Sequence, residues 1–205
     1  DDGVSREDLT EICSVIQDID VPSISKSTVV ETVQHLSYRS LDEDECGKIA
    51  VQSIETLIDR SGLDITDDLI SRLIPMLPRI DRNTDKKMAG LNPQFGLSFE
   101  EDEARQIWKA NGGTKCLPLF YVILLHLKHQ NVSSNLWWMT PGLLNILDDS
   151  TDLLGVRLKG VLLLKIFLEK CFVDDEHWIS FHDTGLYALY EPILLSMCYC
   201  LPPGY

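Results

Sequence analysis

Basic side chains are scarce in this chain: 18 Lys and Arg stand against 32 Asp and Glu over 205 residues, a formal net charge of −14. A phosphate backbone rewards Lys and Arg and repels such a surface, which argues against unaided nucleic-acid binding, so no direct nucleic-acid partner is expected and a basic protein partner is easier to accommodate. Catalytic signatures are missing too. No GxSxG, P-loop, GxGxxG or HExxH pattern occurs, and Asn111-Gly112-Gly113-Thr114-Lys115 lacks the preceding strand that a phosphate cradle needs, so it reads as a helix break. Six cysteines, at 13, 46, 116, 171, 198 and 200, include no CxxC pair. Most fall in apolar helical patterns, as buried reduced thiols do in a cytoplasmic or nuclear protein. No signal-peptide order opens the chain, and the longest apolar runs, Leu117 to Leu127 and Val161 to Leu168, are too short to span a bilayer, so no membrane partner is expected. His126 and His129 lie three apart, but no Cys, Asp or Glu at matching spacing completes a metal site. His177 and His182 have the same weakness. No catalytic, cofactor-binding or metal-ligating residue is assigned, and a non-enzymatic binding module is the default reading.

What is there is helical. At 44% hydrophobic the chain can bury a continuous core, and its apolar residues recur at helical rather than strand spacing. Helices are expected from Ser5 to Ile19 and from Ser25 to Ser37. A third opens at Asp42-Glu43-Asp44-Glu45, whose carboxylates favour the positive end of a helix dipole, and closes at Ser61-Gly62. A fourth runs from Thr66 towards Met76. Between Ile80 and Glu100 the periodicity fails. The expected organisation is therefore helical repeats over 1–80, a loop or linker over 81–99, and further repeats over 100–205, or one continuous array. A short acidic helix spans Glu100 to Lys109, an apolar one Thr114 to His129, and a last one Gly185 to about Leu201, with Pro192 kinking it or marking a start.

The central stretch, Thr140 to Cys171, reads as a helical hairpin. Pro141 suits a first helical turn, Leu143, Leu144, Ile146 and Leu147 supply an apolar face, and Asp148-Asp149-Ser150-Thr151-Asp152 is a polar turn whose Asp152 or Thr151 caps the next helix. That second helix, from Val156-Arg157 through Lys159-Gly160 to Phe167, is apolar on nearly every side and is expected to be among the most buried. A Pro that begins one helix and a Val-Arg pair that begins the next resemble a HEAT repeat, whose length of about 40–47 residues fits. An ordinary helical-bundle hairpin is the alternative. The fold class implied is all-α, a HEAT-like α-solenoid of stacked antiparallel helix pairs. In it Arg157 and Lys159 are expected to pair with Asp148 or Asp149 and hold repeats in register.

A more specific resemblance rests on an order of motifs: Trp108-Lys109, Trp137-Trp138, Pro141-Gly142-Leu143-Leu144, Leu147-Asp148-Asp149, Leu158-Lys159-Gly160 and Thr184-Gly185-Leu186. This order resembles the family of the second Tel-two-interacting protein, the smallest subunit of the TTT (Triple T) co-chaperone complex, over residues 104–190. The resemblance implies a scaffold without catalytic activity or cofactor. Its partners would be the first Tel-two-interacting protein and, through it, Tel-two, in support of phosphatidylinositol-3-kinase-related kinase maturation by heat-shock chaperones. A transport or trafficking adaptor built of similar repeats is the other reading, and a helical enzyme a third. Members of the family are longer, which leaves open whether this chain is a whole protein, a core fragment or a shortened form.

Trp137 and Trp138, being adjacent, point about 100° apart on a helix, so one is expected in the core and the other at a surface that binds a partner or caps the stack. The face of Leu186, Leu189, Ile193 and Met197 on the last helix is the one expected to need cover from outside, in an obligate contact of upwards of about 2,000 Å².

Overall fold

A computed structural model of the chain describes residues 6–18, 24–79, 99–171, 181, 182 and 184–198. The described residues are helical, with no strand: α1 (Arg6–Asp18), α2 (Lys26–Ser37), α3 (Glu45–Ser61), α4 (Thr66–Leu73), α5 (Phe99–Ala110), α6 (Cys116–His126), α7 (Val132–Leu147), α8 (Leu158–Ile166) and α9 (Tyr187–Cys198). The expected loop over 81–99 lies outside them except for Phe99, as do His177 and Trp178. Contacts group the helices into two units, 1–76 with 115–127 and 77–114 with 128–205.

In the first unit α3 is the helix on which α1 and α2 both pack. Its ends follow from local chemistry. Asp44 caps it, accepting from the Gly47 amide at 3.1 Å, and Gly62, at φ 60°, closes it by donating to the Ile58 carbonyl. The helix begins later than the acidic run suggests because Asp44 is the cap and Asp42 pairs with Arg39 at 2.9 Å. Ser25 caps α2 in the same way, its hydroxyl accepting from Thr28 N. Helix α4 ends at Leu73 and tightens into a 3₁₀ turn over Ile74–Met76, where Pro75 has no amide to continue the α-helical ladder. Leu9, Val33, Ile54, Leu57 and Leu73 form the core. Helix α6 does not follow the grouping by chain order: it packs on α4 and α2. Leu117, Leu119, Phe120, Ile123 and Leu124 are all buried, as befits a helix that is apolar all round.

In the second unit α7 packs on α8 and on α9, and two expectations need correction. Pro141 does not begin a helix. It lies inside α7, nine residues after Val132, on the exposed side. The carbonyl that loses its donor is that of Trp137, a residue also on the exposed side, and the helix runs on through the proline. The α8 stretch is likewise not covered all round. It begins at Leu153 rather than Val156, as a wide π turn over Leu153–Arg157 capped by Asp152, runs through α8, and ends in a second π turn over Phe167–Cys171. Val156, Gly160, Leu163, Leu164 and Phe167 face inward while Leu154, Leu158 and Leu162 face out.

Candidate functional site

The Asp-Asp turn between α7 and α8 is held from outside its own hairpin. Helix α5 presents Asp102, Arg105 and Lys109 on one face, at i, i+3 and i+7, and all three bond this turn. Arg105, buried, donates to the Asn145 carbonyl at 3.0 Å and lies 3.7 Å from Asp148. Lys109 Nζ sits 2.8 Å from Asp149 Oδ2 and donates to Thr151 Oγ1, and Asp102 accepts from Ser150 at 2.9 Å. Two cations thus meet the carboxylates and last carbonyls at the negative end of the α7 dipole. Asp149 Oδ1 also accepts from the Thr151 amide and hydroxyl, which closes the turn on itself. Burial by itself would push the Asp149 carboxyl up; the bonds from Lys109 and Thr151 outweigh it and hold the group below the ordinary carboxylate range.

Arg105 was not singled out by sequence, and Lys109 entered only as part of the Trp108-Lys109 motif, not as a partner of the Asp-Asp turn. The signal is a pair of cations four apart on an otherwise acidic helix. Arg157, expected to take that role, does not: it is buried and donates to Ser196 of α9 at 2.9 Å. It points away because the π turn carries residues 153–157 through a different phase from an α-helical start. Lys159 is exposed. At Gly160 α8 approaches α7 closely, since a Cβ there would lie 2.8 Å from Ile146 Cγ2. Gly185, at φ 74°, turns the chain into α9, with Thr184 Oγ1 accepting from the Leu186 amide. Gly113 is needed because a Cβ would overlap the Trp108 indole.

Of the tryptophan pair, Trp138 is in the core, its indole N–H donating to Asn135 at 2.7 Å, while Trp137 is 67% exposed. The four positions expected on the last helix, of which Leu186 precedes α9, do not share an outward face. Ile193 is buried, Leu186 and Met197 are half-buried, and Leu189 is exposed. With Tyr190 fully buried between them, this is largely the side that packs inward, and Leu195 lies on the exposed side. An apolar stripe looks the same in sequence whichever way it faces, and here Ile193 turns inward while Leu189 turns out.

Among the described residues the most exposed large apolar side chain of this unit lies elsewhere. Leu154 is 84% exposed and Leu158 56% exposed, and Leu162 continues the row at four-residue spacing, with the solvated Lys159 and Lys165 alongside. Together these large side chains present an apolar strip to solvent. Among the described residues no three of His, Cys, Asp and Glu converge on a metal position, and no helix is long and apolar enough to cross a membrane.

A profile of the Tti2 family matches residues 32–205. The chain is 41% identical over 195 residues to TEL2-interacting protein 2 of Saccharomyces cerevisiae, an alignment that takes in 89% of this chain and 46% of that protein. The chain therefore spans about half the length of the curated relative it matches. No solved structure matches it. The family match reaches back into α2, well before the first motif legible in the sequence at Trp108.

Proposed function

The chain belongs to the Tti2 family, and from that premise we propose that it acts without catalysis, as a helical scaffold subunit of the TTT co-chaperone complex. It binds the first Tel-two-interacting protein and, through it, Tel-two. In that assembly it supports the folding and stability of phosphatidylinositol-3-kinase-related kinases alongside heat-shock chaperones, in the cytoplasm and nucleus. The name of the yeast relative points to Tel2 as the protein to seek. The α7–α8 pair with its clamped Asp-Asp turn is the unit we read as a HEAT-like repeat, stacked with others into a solenoid.

The observation that carries this reading is the Leu154, Leu158 and Leu162 row. Its exposure is too great for a helix whose only role is its own core, and it replaces the α9 face as the surface assigned to the partner. The test is affinity purification of the tagged full-length protein from cells. The two other TTT subunits should co-purify with it. Leu154→Asp with Leu158→Asp should release them while circular-dichroism helicity stays unchanged, since both side chains already face outward. Undiminished co-purification of both subunits with the double variant would overturn the surface, and their absence from the wild-type eluate would overturn the reading.

A further inference from the structure

In the unit that holds α1–α4 and α6, α1 and α2 both lie on α3 but make little contact with each other. A groove runs between them. Ile12, Val15 and Ile16 of α1, Val29 of α2 and Leu57 of α3 line one hollow of about 460 Å³. A second, of about 320 Å³, continues it past Leu9 and Leu36, and Ile12, Thr28 and Thr32 border both. The two threonines ask nothing of an occupant: Thr32 Oγ1 donates to the Thr28 carbonyl at 2.9 Å, and the Thr28 hydroxyl pairs with that of Ser25 at 2.8 Å. The groove therefore offers apolar surface without the convergent polar groups that orient a small ligand. Val15 sits on its lip, 44% exposed.

The lip is charged, and on balance negative. Asp8 and Glu11 stand on the α1 side and Glu31 on the α2 side, against Arg39 as the one lysine or arginine bordering the groove among the described residues; Arg39 pairs outside it with Asp42 at 2.9 Å and Glu31 with Arg72 at 3.6 Å, so the balance of three carboxylates to one cation stands. Helix α1, 13 residues long, gives a trough of roughly 20 Å. Two helices lying apart on a third form the shape into which the ridge of one more helix packs. An incoming amphipathic helix would lay its i, i+3, i+4 and i+7 side chains on Ile12, Val15 and Leu57, and its flanks would meet the carboxylates.

We propose that the α1–α2 groove docks an amphipathic helix of a protein partner that carries Lys or Arg on both sides of its apolar stripe. The proposal concerns a different unit from the leucine row on α8 and does not depend on which complex the protein joins.

The probe is a fluorescein-labelled, stapled 14-residue helix with Leu at i, i+3, i+4, i+7 and i+11 and Lys elsewhere, titrated by anisotropy against the full chain. A counterpart with Glu for Lys serves as control. The Lys helix should bind saturably at one per chain and the Glu helix should not. Glu11→Lys with Glu31→Lys, and separately Val15→Asp, should each weaken binding at least tenfold. Glu43→Lys with Glu103→Lys, the same change of charge at exposed positions off the groove, should leave it within twofold. If Val15→Asp loses helicity, the groove charge pair decides alone. Equal binding of the Glu helix, equal loss in the off-groove control, or no loss in the groove variants overturns the proposal. A dimer in sedimentation that Val15→Asp dissolves also overturns it, because the occupant is then a second copy of the chain.

Discussion

Asp149 is 1% exposed yet charged, and the reason is local. Lys109 and Thr151 supply donors that an unfolded chain does not hold in place, so its carboxyl titrates below its unfolded value of about 3.9. A depressed folded value contributes stability that is present above the unfolded value and is lost as pH falls through the folded one. Replacing Asp149 by Ala leaves Lys109 mostly desolvated without its partner and opens the turn, and should cost about 3 kcal/mol in urea unfolding at pH 7. The gap between variant and wild type should narrow as the pH is taken below about 4. A gap that stays constant from pH 7 to pH 2 would show that the charge is not what Asp149 contributes. Thiols give a second residue-scale test. Cys116 is fully enclosed, and burial pushes its thiol up to about 12, whereas Cys198 is exposed. Ellman's reagent at pH 8 should therefore label Cys198 in the folded protein and reach Cys116 only after guanidinium unfolds it. Labelling of Cys116 in the native state would show that α6 opens far more readily than its packing implies.

At the scale of the elements, the α7–α8 contact is limited by Gly160. A methyl there meets the branched side chain of Ile146, which cannot swing aside, so Gly160→Ala should destabilise by about 1–3 kcal/mol despite the better helix propensity of Ala. Gly142→Ala meets only the tip of Leu77 at 3.0 Å and should cost less. Parallel urea titrations of the two variants check the order, and equal losses would mean that helix propensity rather than packing is being measured. Tyr190 of α9 is a different case. Its ring is fully buried, and its hydroxyl has no hydrogen-bond partner among the described residues, although burial, resisted by the nearby Thr140 hydroxyl, pushes the phenol well up. Tyr190→Phe should accordingly stay within about 1 kcal/mol of wild type, against about 3–5 kcal/mol for Tyr190→Ala. Most of these elements could be read in advance, since Ser25, Asp44, Gly62, Asp152 and Gly185 act on neighbours one to four residues away. Pro141 could not. Whether a proline starts a helix or rides inside one depends on whether the freed carbonyl faces water, and that is a property of the packed helix.

For the whole molecule, the leucine row of the π turn and α8 makes a prediction for association. A chain with a net charge of −14 repels its own copies, so the apolar surface stays available to a partner instead of being consumed by self-association. Added salt screens that repulsion over about 10 Å at 0.1 M, and light scattering should show a rising apparent mass with salt in wild type but not in the Leu154→Asp, Leu158→Asp double variant.

By itself the sequence determined that the protein is helical, where most of its helices begin and end, and which family its carboxyl-terminal motifs resemble, because caps, turns and 3.6-residue periodicity are short-range properties of neighbouring side chains. Only the tertiary structure decided which apolar faces are spent on the core. Leu154, Leu158 and Leu162 belong to a strongly apolar stretch, the π turn and α8, and yet face out, while Ile193 on α9, a helix of similar composition, faces in. Arg105 and Lys109 joined the Asp-Asp turn across some forty residues of chain, and Arg157 was drawn instead to Ser196. The physical reason is the same in each case: periodicity says that a face is apolar and composition says that a charge needs a partner, but the surface or partner that each meets is set by which helices the fold brings alongside.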